Sequence, residues 1–96
     1  MRDKPLTWKE LRASLNVTEE EEEEIRLEME LIEATIKARK EKKLTQRKLS
    51  ELSGISQPVI ARIERRVNAP TVETLMKLLF SMGYTLKVVP LEKLKK

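Results

Sequence analysis

The sequence predicts a mainly α domain of five or six helices, closed by one short C-terminal strand. Three observations carry this. Apolar residues recur at three- and four-residue spacing along most of the chain, beginning with Trp8, Leu11 and Leu15. Hydroxyl residues suited to capping stand ahead of these runs, at Thr7, Thr18, Thr45, Ser56 and Thr71. The chain has one Trp, one Tyr and one Phe in 96 residues and is 38% charged, so its core must be aliphatic. A chain of this length makes one domain with a modest core.

Taken in order, Thr7-Trp8-Lys9-Glu10 is a capping-box pattern that opens a short amphipathic helix. Asn16-Val17 breaks it. Thr18 with Glu21 opens a long helix running to about Lys43. This helix has two apolar stripes. Ile25, Met29, Ile32 and Ile36 form one; Leu27, Leu31, Ala34 and Ala38 form the other, displaced by two residues. Two residues turn a helix by about 200°, so the stripes lie on nearly opposite sides, and a helix apolar on both sides is buried on both. One stripe packs on the domain. The other meets a second copy, a different protein, or the N-terminal helix folding back through Trp8, Leu11 and Leu15.

Thr45 caps a helix that carries Leu49 and Leu52, and Gly54 ends it where a positive φ is needed. Ser56 caps the next helix, and Pro58 is tolerated in its first turn. Ile60, Ile63 and Val67 face inward; Pro58, Ala61, Arg62 and Arg65 face out. Two short helices broken by a glycine, with a polar and basic outer face on the second, make a helix-turn-helix motif that can enter the DNA major groove. Gln57 can bond adenine bidentately and Arg62 can bond guanine, while Pro58 and Ala61 are small enough to reach thymine methyls. Arg47, Lys48, Arg65 and Arg66 suit phosphate contacts, with Ser56 and Asn68 beside them. Each arginine alone is equally an ordinary solubilising residue; their clustering around one helix gives the set its meaning.

Thr71 caps a further helix with Leu75, Leu78, Leu79 and Met82 on its apolar side, ended by Gly83. From Tyr84 to Val89 the period changes. Tyr84, Leu86 and Val88 alternate with Thr85, Lys87 and Val89, and Pro90 stops the run. A lone strand leaves half its backbone groups unpaired. Its own copy, antiparallel across a two-fold axis, is the obvious partner, which predicts a dimer through Tyr84, Leu86 and Val88. The tail from Leu91 is expected to be loose and basic. The chain divides into an acidic helical extension (1–30), the helix-turn-helix domain (31–83) and the strand with its tail (84–96).

The set Leu44-Thr45-Gln46, Leu49, Gly54-Ile55-Ser56, Ile60, Ile63-Glu64, Pro70-Thr71, Leu75, Leu78 and Gly83 resembles the Xre/Cro-type repressor domains over roughly residues 31–83. The resemblance implies that Gln46 holds a phosphate, that Glu64 pairs with Arg39 in a partly buried structural ion pair, and that Leu31, Thr35 and Ala38 are the inner positions of the long helix. On that basis Ile25, Met29, Ile32 and Ile36, with Trp8, Leu11 and Leu15, are left to bind a partner. One departure is Arg66-Val67, where many relatives place a glycine, which predicts a loop of different shape before Asn68. As a whole the chain looks like the HigA-type antitoxins. That implies a protein which represses its own operon as a dimer on double-stranded DNA and blocks a small basic mRNA-cutting toxin of the HigB/RelE type. A stand-alone repressor is the alternative that the same DNA-facing residues allow.

Charge fits the dual role. Residues 1–36 hold five basic and eleven acidic side chains, a net of −6; the remainder hold fifteen and five, a net of +10. The basic part suits phosphates and the acidic part a basic protein, although a glutamate run also serves simply as a solvated helix start. The sequence has no cysteine and no histidine, so it lacks thiolate chemistry and the commonest general base and metal ligand. Its glutamates are consecutive and fan around a helix. No enzyme activity, catalytic residue, metal or cofactor is expected. With no spanning apolar run and no signal-peptide pattern, the expected location is cytoplasmic.

Overall fold

A computed structural model describes residues 18–90. Among them lie four helices: α1 (Glu19–Glu41), α2 (Gln46–Ser53), α3 (Gln57–Glu64) and α4 (Val72–Ser81). The expected five or six helices and C-terminal strand are therefore corrected to four helices and no strand among the described residues. The helix expected around Trp8, Leu11 and Leu15, and the tail from Leu91, lie outside them.

Each helix starts on the hydroxyl placed for it. Thr18 and Glu21 close a reciprocal capping box, with Thr18 N–H donating to Glu21 Oε1 at 2.8 Å and Glu21 N–H to Thr18 Oγ1 at 3.1 Å. Thr45, Ser56 and Thr71 each accept a backbone N–H of the first turn. Along the exposed side of α1, Arg26 bridges Glu23 and Glu30. The hydrogen bond to Glu23 is the main cause that raises the Arg26 pKa above its ordinary value.

The helix ends share a second device. After α1, Lys43 N–H bonds Lys40 O and Leu44 N–H bonds Arg39 O; after α3, Arg66 N–H bonds Ile63 O and Val67 N–H bonds Arg62 O. After α4, Gly83 and Tyr84 repeat the pattern on Phe80 and Leu79. These are Schellman closures, which need a left-handed residue. Gly83 supplies it at φ 87, but Lys43 (φ 59) and Arg66 (φ 61) do so with side chains. At the departure, Arg66 adopts the left-handed conformation that glycine takes more easily. Val67, expected inside the recognition helix, is half-buried beyond its end.

The core joins Ile25, Met29, Ile32 and Ala38 of α1 to Leu49, Ile60, Ile63, Leu78, Leu79 and Met82. Ile32, Leu49, Ile60 and Leu78 are fully enclosed, each contributing about 2 kcal/mol of apolar burial. α2 packs on α3 and α4, and α1 packs on α3 and α4. Thr35 and Ala38 are inner as expected, but the assignment of the other α1 stripe to a partner is overturned. Ile25, Met29 and Ile32 are buried, and Ile36 packs against the core, so these four are core residues and not a partner surface. Leu27 is half exposed, Ala34 is exposed and Leu31 is half-buried. Thr35 is buried with its hydroxyl donating to Leu31 O at 2.7 Å.

Residues 84–90 do not form a strand. The Tyr84 N–H is taken by the α4 closure, Leu86 packs on the core, and Val88 is fully exposed. Alternating residues have only one neighbouring surface to pack on here, so the period earns no ladder. The expected pairing of Tyr84, Leu86 and Val88 across a two-fold axis loses its basis. No helix among the described residues is long and apolar enough to cross a membrane.

Candidate nucleic-acid interface

α2 and α3 present one polar face. Gly54, at φ 80, turns the chain between them, and Ile55 tucks against the core. Ile60 and Ile63 anchor α3 from beneath, leaving Gln57, Pro58 and Arg62 exposed and Ala61 half-buried on its outer side. The Ser56 hydroxyl accepts the Val59 N–H at 3.4 Å. Its first duty is thus the cap.

Around this helix stand the cations. Arg47, Lys48 and Arg65 are exposed, as is Asn68. Lys48 lies 3.6 Å from Glu51, both open to solvent, a contact worth little and easily exchanged for a phosphate. Arg66 is half-buried. It donates to the Glu64 backbone carbonyl at 3.0 Å and lies 3.4 Å from Glu33 of α1, so it is tied to the protein more than Arg47 or Arg65.

Arg39 and Glu64 meet. Arg39 Nε donates to Glu64 Oε2 at 2.7 Å and Nη2 to Oε1 at 2.9 Å, with the side chains 13% and 12% exposed. This side-on, two-point pair ties α1 to the end of α3. Gln46 is half-buried at the start of α2, donating to Glu64 Oε1 at 2.9 Å and accepting from Gln57 Nε2 at 2.8 Å. The sequence reading placed Gln46 and Gln57 at the interface and paired Glu64 with Arg39, but missed the bonds from Gln46 to Gln57 and to Glu64. The start of α2 makes them by meeting both ends of α3.

A helix-turn-helix family model matches residues 36–87, more than half of the chain. The chain belongs to the helix-turn-helix family. Its motif is the α2–Gly54–α3 unit, and α3 is the second, recognition-type helix. A Haemophilus influenzae protein named as an uncharacterized HTH-type transcriptional regulator is 43% identical over 84 residues, spanning 88% of this chain and 85% of that one. One chain of a solved toxin-antitoxin module from Streptococcus pneumoniae is 44% identical, with a TM-score of 0.64, covering 92% of this chain and 97% of that one. The helix-turn-helix of this protein thus sits in a chain whose similarity extends well beyond the motif.

The opposite surface also has a distinct character. The exposed side of α1 carries Leu27, Ala34 and half-buried Leu31 among glutamates that include Glu20 and Glu30. Sequence periodicity showed this stripe but not that it faces outward.

Proposed function

We propose that this chain is an antitoxin: a dimeric repressor of its own operon that also binds and neutralises a small basic mRNA-cleaving toxin of the HigB/RelE type. The observation that carries the DNA half is the recognition-type helix, buried on Ile60 and Ile63 and exposing Gln57, Pro58 and Arg62 beside exposed cations. Bases would be read from α3 and phosphates held by Arg47, Lys48 and Arg65.

The toxin half is supported by the likeness to a chain of a toxin-antitoxin module and by the acidic, partly apolar outer face of α1. A nuclease surface must attract RNA phosphate, so it is complementary to glutamates around Leu27 and Leu31. Dimerisation is supported by the exposed apolar side chains of Val72, Phe80, Tyr84, Val88 and Val89 on and after α4. These need no β-pairing.

The test is recovery of the tagged chain from its native cells, with intact-mass analysis and binding to its own promoter. A stoichiometric small basic protein that cleaves mRNA when freed, and that is lost from the Leu27→Asp/Leu31→Asp variant, supports the antitoxin. Recovery of a homodimer alone, still bound to its promoter, makes the chain a stand-alone repressor, the reading its likeness to an HTH-type regulator also favours.

A further inference from the structure

Arg66 stands just behind α3 in the left-handed region, at φ 61. That conformation crowds a Cβ, and glycine adopts it without the crowding. A glycine would therefore serve the helix closure better, and the arginine side chain is not there for the turn. A strained residue of this kind directs attention to what its side chain does.

The Arg66 guanidinium has two partners. Nη1 donates to the Glu64 carbonyl at 3.0 Å, and Nη2 donates to Glu33 Oε2 of α1 at 3.4 Å. The second contact is long, and its side chains are 33% and 67% exposed; such a pair adds little stability in water. Beside it runs an open groove of about 400 Å³, lined by Ile36, Lys37, Lys40 and Glu41 as well as by Glu33 and Arg66. The guanidinium can therefore leave Glu33 without displacing packed side chains. Glu33 also has a substitute cation, because Lys37 stands four residues on, at the spacing that suits a Glu–Lys pair on a helix.

Arg66 lies between exposed Arg65, at the C-cap of α3, and exposed Asn68. A duplex docked on α3 brings a row of phosphates to this end of the helix. A phosphate offers a guanidinium charge-assisted, two-point bonding, and its capture releases counterions from the duplex.

We propose that Arg66 is a further phosphate ligand held in check by Glu33. In the free protein Glu33 keeps the guanidinium on α1. Giving up that contact offsets most of what the phosphate contributes, so Glu33 sets DNA affinity below the level the cations alone allow. This rests on the DNA-binding reading above.

The experiment uses the full chain. Wild type, Glu33→Gln, Arg66→Gly and the double variant are titrated by fluorescence anisotropy over a salt series. One duplex is selected from a random pool by the wild type; the other is its scrambled counterpart. Glu33→Gln is expected to tighten binding to both by about threefold at low salt. It should also steepen the dependence of log affinity on log salt by about 1, one more phosphate being neutralised. In the Arg66→Gly background the same change should do neither, and Arg66→Gly alone should weaken the wild type by less than about 1.5-fold. Glycine keeps the left-handed closure, so that background folds. Glu41→Gln removes another carboxylate from the groove and should leave the salt slope unchanged. A Glu33→Gln gain that persists without Arg66, or that Glu41→Gln reproduces, is only the loss of a repelling charge and overturns the proposal. No gain from Glu33→Gln overturns it too. So does a wild type that Arg66→Gly weakens as much as Lys48→Ala does, since Arg66 is then an unrestrained contact. A wild type that binds neither duplex overturns the DNA-binding reading itself, before any variant is compared.

Discussion

Lys43 and Arg66 both hold the backbone in the left-handed region, where a Cβ is crowded. Lys43 is exposed, so Lys43→Gly should relieve this strain at no other cost. It should stabilise the fold by about 1 kcal/mol and raise the melting temperature by about 4 °C or more. Arg66→Gly should gain less, because it also forfeits the bond to the Glu64 carbonyl and the contact with Glu33. Arg39 is the opposite case. Its removal leaves Glu64 without its cation in a largely enclosed site, so Arg39→Ala should cost about 3 kcal/mol in denaturant unfolding. The residue letters expose part of this. A glutamate on an outward-turning helix signals an unusual partner, but an arginine at a left-handed position is invisible until its φ is known.

At the scale of elements, the turn between α2 and α3 depends on Gly54. A Cβ built there meets nothing within 4 Å, so the cost of Gly54→Ala is conformational alone, about 1 kcal/mol by chemical denaturation. α1 shows how the same spacing yields two outcomes. Ile32 is fully buried, and Ile32→Ala should destabilise the fold by about 3 kcal/mol. Leu27 lies on the other side, half exposed, and Leu27→Asp should leave thermal stability within about 0.5 kcal/mol of wild type while weakening capture of the proposed basic partner. Helical period reveals both stripes equally, because it measures angle around an axis and not what lies beyond it. Residues 84–90 carry the same lesson for strands: alternation states which side chains share a face, and a face without a facing sheet gains nothing.

For the whole molecule the governing feature is charge, a net of +4 made from an acidic first third and a basic remainder. DNA binding should weaken steeply with salt, as counterions released from phosphates are replaced. Lys48→Ala should lower affinity on specific and random duplexes alike and reduce the salt slope by about 1, whereas Arg62→Ala should relax preference at one base per half-site. Filter binding across a salt series separates the two. In the proposed dimer the two recognition helices should stand about 34 Å apart and select a near-palindrome with that spacing.

The sequence by itself determined where the described helices begin and how the motif turns. Thr18, Thr45, Ser56, Thr71 and Gly54 act on their own or neighbouring backbone within a few residues, so their effect is written locally. Tertiary structure alone decided which stripe of α1 is core, that residues 84–90 stay unpaired within the chain, and that Gln46 joins Gln57 to Glu64. Burial and hydrogen bonding across 11 and 18 residues of separation depend on where packed helices bring their ends together, and no local period encodes that; the pair of Glu64 with Arg39 was legible only through the family resemblance.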